Sequence, residues 1–197
     1  MHAAVILAHP RPDSYAHARA QRAVDGLQIA GHSVDLVDLY AEGFQAAMTE
    51  AEREAYHGEE PILDPLVQAS ADLVRRVDAL IFVYPTWWSG LPAILKGWMD
   101  RVLVPGVGFT FDGRTGKARP GLTNVRHLIG VSTYGSPKPL VRIINDNGRR
   151  TIMRALRLGC GFRVQTRWHG LYAIDTSTIE QRAEFAARVE RSMTELR

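Results

Sequence analysis

Short β-branched runs alternate with amphipathic stretches along this chain, and that alternation constrains its fold more than any other feature. Five runs are typical of buried strands: "HAAVILA", "HSVDLVDL", "VDALIFVY", "VRHLIGVS" and "RVQTRWHGLY". Apolar residues recur at three- and four-residue spacing between and after these runs. That spacing predicts five helices, over residues 14–30, 64–77, 91–103, 139–157 and 178–196.

Strict alternation of strand and helix favours an α/β fold in which a parallel sheet lies between two helix layers. With five strands, we expect a flavodoxin-like three-layer sandwich whose strand order is 2-1-3-4-5. A chain of 197 residues is long enough for one full core, so we expect residues 1–197 to form a single domain. Ligands in such sheets bind at the carboxyl ends of the strands, which directs attention to the loops after "VILA", "IFVY" and "IGVS".

Two connections are longer than this architecture needs. Residues 41–63 contain Thr49 and Glu52 at capping-box spacing, which predicts a short additional helix. Residues 105–124 contain five glycines, with Phe109 and Phe111 at alternate positions. This second segment fits a hairpin-like excursion over a site, and it fits an irregular surface loop equally well.

Charge and composition exclude several classes of protein. The formal net charge is +3 and the pI is about 9.2, but the basic residues are scattered and form no run of five, so we expect no nucleic-acid partner. The mild positive field favours anionic small molecules. The single cysteine, Cys160, lies in an apolar setting and is predicted to fill the core. With no signal-like or spanning apolar run, we expect a cytoplasmic protein without an integral membrane segment.

The first candidate loop, "AHPRPDSYAHA", leads from a strand into a helix. Two prolines force an extended path, and Asp13 or Ser14 then caps the helix, whose free N–H groups and dipole favour an anion. His9 is the histidine beside this helix start. A capped helix with nothing bound fits the spacing as well. The loop lacks G-x-G-x-x-G, a P-loop and the Thr-rich phosphate loop of small acidic flavodoxins.

The second candidate loop, "YPTWWSGLP", places Trp87 beside Trp88 between two prolines. In an extended segment, adjacent side chains point in opposite directions, so we expect the two rings to serve different surfaces. Core and subunit-interface packing is one interpretation, and a wall for a flat aromatic cofactor is the other. The third candidate loop, "VSTYG", offers hydroxyls and an unencumbered backbone at a strand end. Neither a metal-ligand cluster nor a G-x-S-x-G motif is present.

Taken together, "LAHPRPDSYAHA", "YPTWWSGLPAILKGWMDRVLVPGVGF" and "VSTYG" resemble the flavodoxin-like NAD(P)H:quinone oxidoreductase family, which includes the DT-diaphorase type and bacterial relatives. The middle motif is the most specific, and the order of elements agrees through about residue 190. The resemblance implies an NAD(P)H dehydrogenase (quinone) that binds FAD, or FMN as in some members. It implies hydride transfer from NAD(P)H to a quinone in a ping-pong cycle, and a homodimer with active sites at the interface.

The resemblance also assigns cofactor-binding roles to particular residues. It assigns the flavin phosphate or pyrophosphate to His9, Asp13, Ser14, Tyr15 and Ala16, where Asp13 replaces a hydroxyl residue and Ala16 an asparagine. It assigns the isoalloxazine ring to Pro85, Thr86, Trp87, Trp88 and Ser89, with backbone N–H groups near N5 and O4. It assigns the pyrimidine end of the ring to Ser132, Thr133, Tyr134 and Gly135.

One departure from the family concerns charge relay. Better-known members carry a Tyr and a His after the third loop, and "SPKPLVRIINDNGRR" offers neither. Tyr134 is then the candidate catalytic residue, with Lys138 and Arg142 as alternative charge partners. Two other functions stay open, a regulatory flavoprotein subunit of a membrane cation transporter and an azo- or nitro-compound reductase. The basic pI and the missing Thr-rich loop count against a one-electron carrier.

Overall fold

The computed structural model describes residues 1–197 and contains seven strands. They are β1 His2–Leu7, β2 Ser33–Asp38, β3 Ala79–Pro85, β4 Phe109–Phe111, β5 Ala118–Pro120, β6 His127–Thr133 and β7 Gln165–Leu171. Five of them form one parallel sheet in the order β2-β1-β3-β6-β7, while β4 and β5 form a separate antiparallel pair. Counted without that pair, the order is 2-1-3-4-5, so the predicted fold class is confirmed.

Helices cover both faces of the sheet. They are α1 Tyr15–Ile29, α2 Glu50–Ala55, α3 Pro65–Arg76, α4 Ala93–Val102, α5 Lys138–Ile143, α6 Asn147–Arg150, α7 Arg157–Cys160 and α8 Ile179–Thr194. A π-helical segment, Thr151–Leu156, joins α6 to α7, and a 3₁₀ turn spans Ile174–Thr176. None of these helices combines the length and the apolar character that crossing a membrane requires.

Strand alternation divides the core into two layers. Ala3, Val5 and Leu7 of β1 pack with α1 and α8 on one face, and Ala4 and Ile6 pack with α3 and α4 on the other. The central strands are therefore buried on both sides, as their continuous apolar runs predict. The layer of α1 and α8 is tight, since a Cβ on Gly26 would clash with the carbonyl oxygen of Glu190.

Two predicted segments gain detail in the structure. The additional helix at Thr49 is α2, with both hydrogen bonds of the capping box present. The excursion over residues 105–124 contains the hairpin β4–β5, so the irregular-loop alternative is excluded. Cys160 is buried, and burial raises the pKa of its thiol to about 12.

The predicted helix over residues 139–157 is wrong as a single element. Asn145 and Asp146 have left-handed backbones, with φ of 79° and 42°, and they end α5. A second helical segment then starts at Asn147 and runs through the π-helical turn to Cys160. Asparagine and aspartate tolerate the left-handed region better than other residues with a Cβ, which is why the break falls at "NDN".

Candidate functional site

The first loop (residues 9–16, including the first turn of α1) forms an open helix start. Ser14 is the N-cap, and its Oγ accepts a hydrogen bond from the N–H of His17 at 3.4 Å. The N–H groups of Tyr15 and Ala16 have no partner within the chain. Two free donors beside a hydroxyl at the positive end of a 15-residue helix suit an anion such as a phosphate.

Arg19 lies under this helix start, and the sequence analysis missed it. Its side chain is 1% exposed, its Nε donates to the carbonyl of Tyr15 at 3.2 Å, and its Nη1 has no hydrogen-bond partner. Burial lowers the pKa of Arg19 to about 10, so the guanidinium stays charged at neutral pH. A buried cation with an orphaned N–H group fits a neighbouring phosphate. In the sequence, the feature that could have identified Arg19 is its position among the alanines that form the apolar stripe of α1.

Two histidines connect the first loop to its neighbours. Nδ1 of His17 lies 3.0 Å from Ser14 Oγ, and its Nε2 lies 2.8 Å from Asp38 at the end of β2. His17 and Asp38 were not predicted from the sequence. The feature that could have identified His17 is its position three residues after Ser14. Nδ1 of His9 accepts from the N–H of Arg11 at 3.1 Å, and its ring lies 6.2 Å from that of Trp87. Burial lowers the pKa of His9, which favours the neutral form of its ring.

Asp13 points away from this helix start toward Arg11. Its carboxylate accepts hydrogen bonds from Nε and Nη2 of Arg11 at 3.1 and 2.8 Å. The Arg11 guanidinium lowers the pKa of Asp13, and both side chains are exposed. The negative charge at this position is therefore offset by a neighbouring cation. The cap itself is Ser14, which decides between the two capping residues that the sequence allowed.

The tryptophan loop (residues 85–90) is a reverse turn, which corrects the expectation of an extended segment. The N–H of Gly90 donates to the carbonyl of Trp87 at 2.9 Å, and the reciprocal bond is 3.3 Å. Trp88 and Ser89 have positive φ, 47° and 58°. Trp87 is 42% exposed beside His9, whereas Trp88 is fully exposed. The rings do face different surroundings, but neither packs in the core, so the core-packing alternative is excluded.

Some backbone N–H groups of the tryptophan loop form hydrogen bonds within the chain, and others are free. The N–H of Thr86 donates to the carbonyl of Thr133 at 2.8 Å, and its Oγ1 lies 2.9 Å from the Oγ of Ser132. These bonds join the ends of β3 and β6. The N–H groups of Trp88 and Ser89 have no partner within the chain. Those two N–H groups are the free donors that this loop can offer to a bound molecule.

The third loop (residues 132–136) contains a buried tyrosine. The hydroxyl of Tyr134 donates to the carboxylate of Asp146, with both oxygens at 3.1 Å, and its ring stacks on Tyr172 at 4.6 Å. Burial and the adjacent carboxylate raise the pKa of Tyr134, and burial raises the pKa of Asp146. The N–H groups of Gly135 and Ser136 have no partner within the chain.

A cleft of about 260 Å³ separates the tryptophan loop from the third loop. Its lining combines predicted residues with ones that the sequence analysis missed. The predicted ones are Thr86, Trp88, Ser89, Tyr134 and Gly135, and the missed ones are Ser136, Val141, Ile144 and Asp146. Pro85, Ser132 and Thr133 stand behind this lining at the strand ends, where Ser132 and Thr133 are buried. Through His9 and Trp87, the first loop adjoins the same edge of the sheet.

Known proteins resemble this chain over two thirds or more of its length. The curated NAD(P)H dehydrogenase (quinone) 1 of Cavia porcellus is 32% identical over 149 residues, 68% of this chain and 54% of that protein. The ribosyldihydronicotinamide dehydrogenase (quinone) of Homo sapiens is 29% identical over 181 residues, 81% of this chain and 77% of that protein. The chain spans about half the length of the first of these relatives.

Solved structures and a family model give the same fold. The NAD(P)H:quinone oxidoreductase from Methanothermobacter marburgensis superposes with a TM-score of 0.80 at 24% identity, covering 98% of this chain and 96% of that one. The sequence model of the family Flavodoxin_2, described as a flavodoxin-like fold, matches residues 1–195. A match over nearly the whole chain establishes membership. This chain therefore belongs to the flavodoxin-like family Flavodoxin_2.

Proposed function

We propose that this chain, as one flavin-binding domain, is a flavin-dependent NAD(P)H:quinone oxidoreductase. The observation that carries the proposal is the convergence of three strand-end loops on one edge of the sheet, each with free backbone N–H groups. The curated relatives are named as quinone-linked dehydrogenases of NAD(P)H and of ribosyldihydronicotinamide, which supports the same reaction class. A bound flavin would supply the redox chemistry, accepting a hydride from NAD(P)H and passing it to a quinone.

The first loop would hold the phosphate end of the flavin. The N–H groups of Tyr15 and Ala16, the hydroxyl of Ser14 and the buried guanidinium of Arg19 together supply donors and positive charge. We favour FAD over FMN because a cleft of about 350 Å³ between the end of β7 and α8 offers room for an adenosine. Tyr15 connects the two places, since its hydroxyl donates to the carbonyl of Arg182 at 2.6 Å.

The other two loops would hold the isoalloxazine ring. Pro85, Thr86 and Trp87 would run along it, and the free N–H groups of Trp88 and Ser89 would face its polar edge. Gly135 would lie at the pyrimidine end, where Ser132 and Thr133 fix the strand end. Donors that are already oriented stabilise negative charge on a bound ring without further reorganisation.

Asp146 is the residue that we propose in place of the missing charge-relay pair. The hydroxyl of Tyr134 is already engaged with the carboxylate of Asp146, so Tyr134 acts by positioning that carboxyl group. Asp146 lines the cleft itself. Burial raises the pKa of Asp146, and negative charge on a bound ring nearby would favour the protonated carboxyl further.

We also propose that the enzyme is a homodimer whose second subunit closes the site. Trp88, Ile143 and Phe162 are 102%, 80% and 88% exposed, which is unusual for large apolar side chains of a single chain. The cleft between the two loops, about 260 Å³, is smaller than the roughly 300 Å³ at which the usual range of ligand sites begins. A second copy packed against these side chains would deepen it.

The proposal is tested by purifying the protein, identifying the released flavin, and measuring NADH and NADPH oxidation with menadione. We expect a yellow protein that turns over with menadione. Ser14→Ala should weaken flavin binding roughly tenfold, because it removes a charge-assisted contact to the phosphate. Thr49→Ala is the matched control, since it also removes a helix N-cap, from α2, but lies away from the loops.

Two outcomes count against the enzyme. A colourless protein that binds no added flavin contradicts the whole proposal. A protein that binds flavin but oxidises neither nucleotide contradicts the enzymatic role and favours a regulatory flavoprotein.

A further inference from the structure

A second and larger groove runs along the free edge of the sheet, outside the loops described above. Its volume is about 860 Å³, and it lies between α5–α7 on one side and α8 on the other, with β7 as its floor. Edge strands of parallel sheets are usually covered or charged, and here the covering elements leave an open trough. A volume of about 860 Å³ lies within the range of about 300 to 1,000 Å³ that is usual for small-molecule sites.

Positive charge is concentrated in this groove. Seven of the chain's 24 Lys and Arg residues line it, but only one of its 21 Asp and Glu residues, Asp146. Two of the cations, Lys138 and Arg142, come from α5, and Arg188 comes from α8. None of the seven forms an ion pair within the chain. The lining of the groove is therefore strongly positive.

The remaining four cations, Arg149, Arg150, Arg154 and Arg157, lie on the helical segment from Asn147 to Cys160. Like charges one turn apart destabilise a helix by a few tenths of a kcal/mol per pair. The segment also contains the π-helical turn, a geometry that is rare and is frequent at functional sites. An anion in the groove would relieve this repulsion.

An aromatic wall orients two of the cations. The guanidinium of Arg149 lies 5.8 Å from the ring of Trp168, and the Nζ of Lys138 lies 5.7 Å from that of Tyr172. Gly170 separates the two rings along β7, where an added Cβ would lie 3.0 Å from the Tyr172 hydroxyl. Stacking on aromatic faces limits the freedom of these long side chains, so less entropy is lost when they bind a ligand.

The groove adjoins the cleft between the tryptophan loop and the third loop, because Val141 and Asp146 line both. We propose that this arginine groove binds the pyrophosphate and the 2′-phosphate of NADPH while its nicotinamide reaches the flavin ring held at the cleft, so that the enzyme prefers NADPH to NADH. This inference rests on the proposed function. NADPH differs from NADH by one phosphomonoester, which carries roughly −1.5 to −2 charges at pH 7.

The test is a titration of the flavin-loaded protein with NADP⁺ and NAD⁺ by calorimetry. We expect NADP⁺ to bind at least tenfold more tightly than NAD⁺. The double substitution Arg150→Gln and Arg154→Gln should weaken NADP⁺ binding roughly tenfold and leave NAD⁺ binding less affected, because charge-assisted bonds to the phosphates are lost. Arg150→Lys with Arg154→Lys should restore part of the affinity, since the charge is kept.

The matched control replaces two other exposed arginines that have no ion pair, Arg163→Gln with Arg191→Gln. This control should leave both affinities unchanged. The NADP⁺ advantage should also shrink when salt is raised from about 50 mM to about 500 mM, because the contacts are exposed. In steady-state assays, the groove substitutions should raise the KM for NADPH with little effect on kcat.

Several outcomes would overturn the groove assignment and leave the proposed function standing. One is that NADP⁺ and NAD⁺ bind with equal affinity. Another is that the groove variants have the same nucleotide affinities as the control variant. A third is that inorganic pyrophosphate binds as tightly as NADP⁺. A change of oligomeric state in the groove variants would mean that a second copy covers the groove. A different result would separate the two proposals. If NADP⁺ binding depends on the arginines but neither NADPH nor NADH reduces the flavin, the groove assignment is supported and the quinone reductase function is refuted.

Discussion

Trp88 has a backbone conformation and a side-chain exposure that are both unfavourable in an isolated, folded monomer. Its φ of 47° is in the left-handed region, which costs roughly 1 kcal/mol for a residue with a Cβ. Its ring is fully exposed and so gains nothing from burial within the chain. A strained backbone with a large exposed ring is consistent with a surface that is completed by a bound ring or by a second subunit.

Trp88→Ala should therefore separate stability from binding. We expect the free energy of unfolding of the flavin-free protein to change by less than about 0.5 kcal/mol, since no buried contact is lost. Flavin affinity, followed by fluorescence quenching, should fall several-fold. Ile29→Ala is the control, because Ile29 is also an exposed apolar residue, 70% exposed, at the far end of α1. Unchanged flavin affinity in Trp88→Ala would remove this residue from the site.

Asp146 should give the pH dependence of stability a recognisable component. Its pKa in the folded protein is raised by burial, so between the unfolded and the folded pKa the native state binds more protons than the unfolded state. Stability from this residue is therefore present below its ordinary pKa of 3.8 and is lost as the pH rises through the higher folded value. Asp146→Asn removes that loss. Urea titrations across this pH range should show the wild type losing more stability than Asp146→Asn, and parallel curves would contradict the assignment.

Sequence reasoning reached some site residues and missed others for identifiable reasons. The N-cap at Ser14 and the strand-end hydroxyls of Ser132 and Thr133 follow from local patterns, and the structure places them at the sheet edge. Arg19 and Asp146 depend on tertiary packing. Arg19 is a charged residue on an apolar stripe. Asp146 lies at a break in a segment that the apolar periodicity predicts as one continuous helix.

At the scale of elements, one buried ion network joins three helices. Nη2 of Arg101 in α4 donates to Glu52 of α2 at 2.6 Å and to Asp64, the N-cap of α3, at 2.8 Å. Arg101 and Glu52 are 4% and 6% exposed. Burial acts to raise the pKa of Glu52, but Arg101 and Thr49 hold it below its ordinary value. The network fixes the long connection after β2 against α4.

Arg101→Met should destabilise the fold strongly, by about 3 to 5 kcal/mol, because it leaves a buried carboxylate without its partner. Lys96→Met in the same helix is the control, since it breaks an exposed ion pair with Asp100 that contributes about 0.5 kcal/mol. Chemical denaturation of both variants measures the difference. A similar small loss in the two variants would show that the buried network does not hold these elements together.

The order of elements was predictable, while their interruptions were only partly so. Continuous apolar runs identified β1, β3 and β6, and the alternation of strand and helix gave the sheet order. The hairpin β4–β5 was one of two interpretations, because alternate phenylalanines fit a short strand without requiring a partner. The end of α5 was missed, since apolar periodicity continues across "NDN" and backbone handedness does not show in it.

For the whole molecule, the parallel sheet determines where function can lie. Three loops meet at the carboxyl ends of β1, β3 and β6, and the arginine groove continues from them along β7. The fold was accessible from sequence because strand order follows from topology rules. The groove could not be predicted from the sequence, because its cations come from four α-helices and the π-helical segment. These cations are up to 50 residues apart along the chain.

We propose that a flavin held by these three loops carries electrons from NAD(P)H to a quinone. The most direct measurement is anaerobic mixing of the flavin-loaded protein with one equivalent of NADPH, followed by menadione, while the flavin absorbance is recorded. We predict full bleaching by a single equivalent, then full recovery when menadione is added after all the NADPH has been oxidised to NADP⁺. Bleaching without recovery would contradict quinone reduction, and a flavin that NADPH and NADH both leave oxidised would contradict the account as a whole.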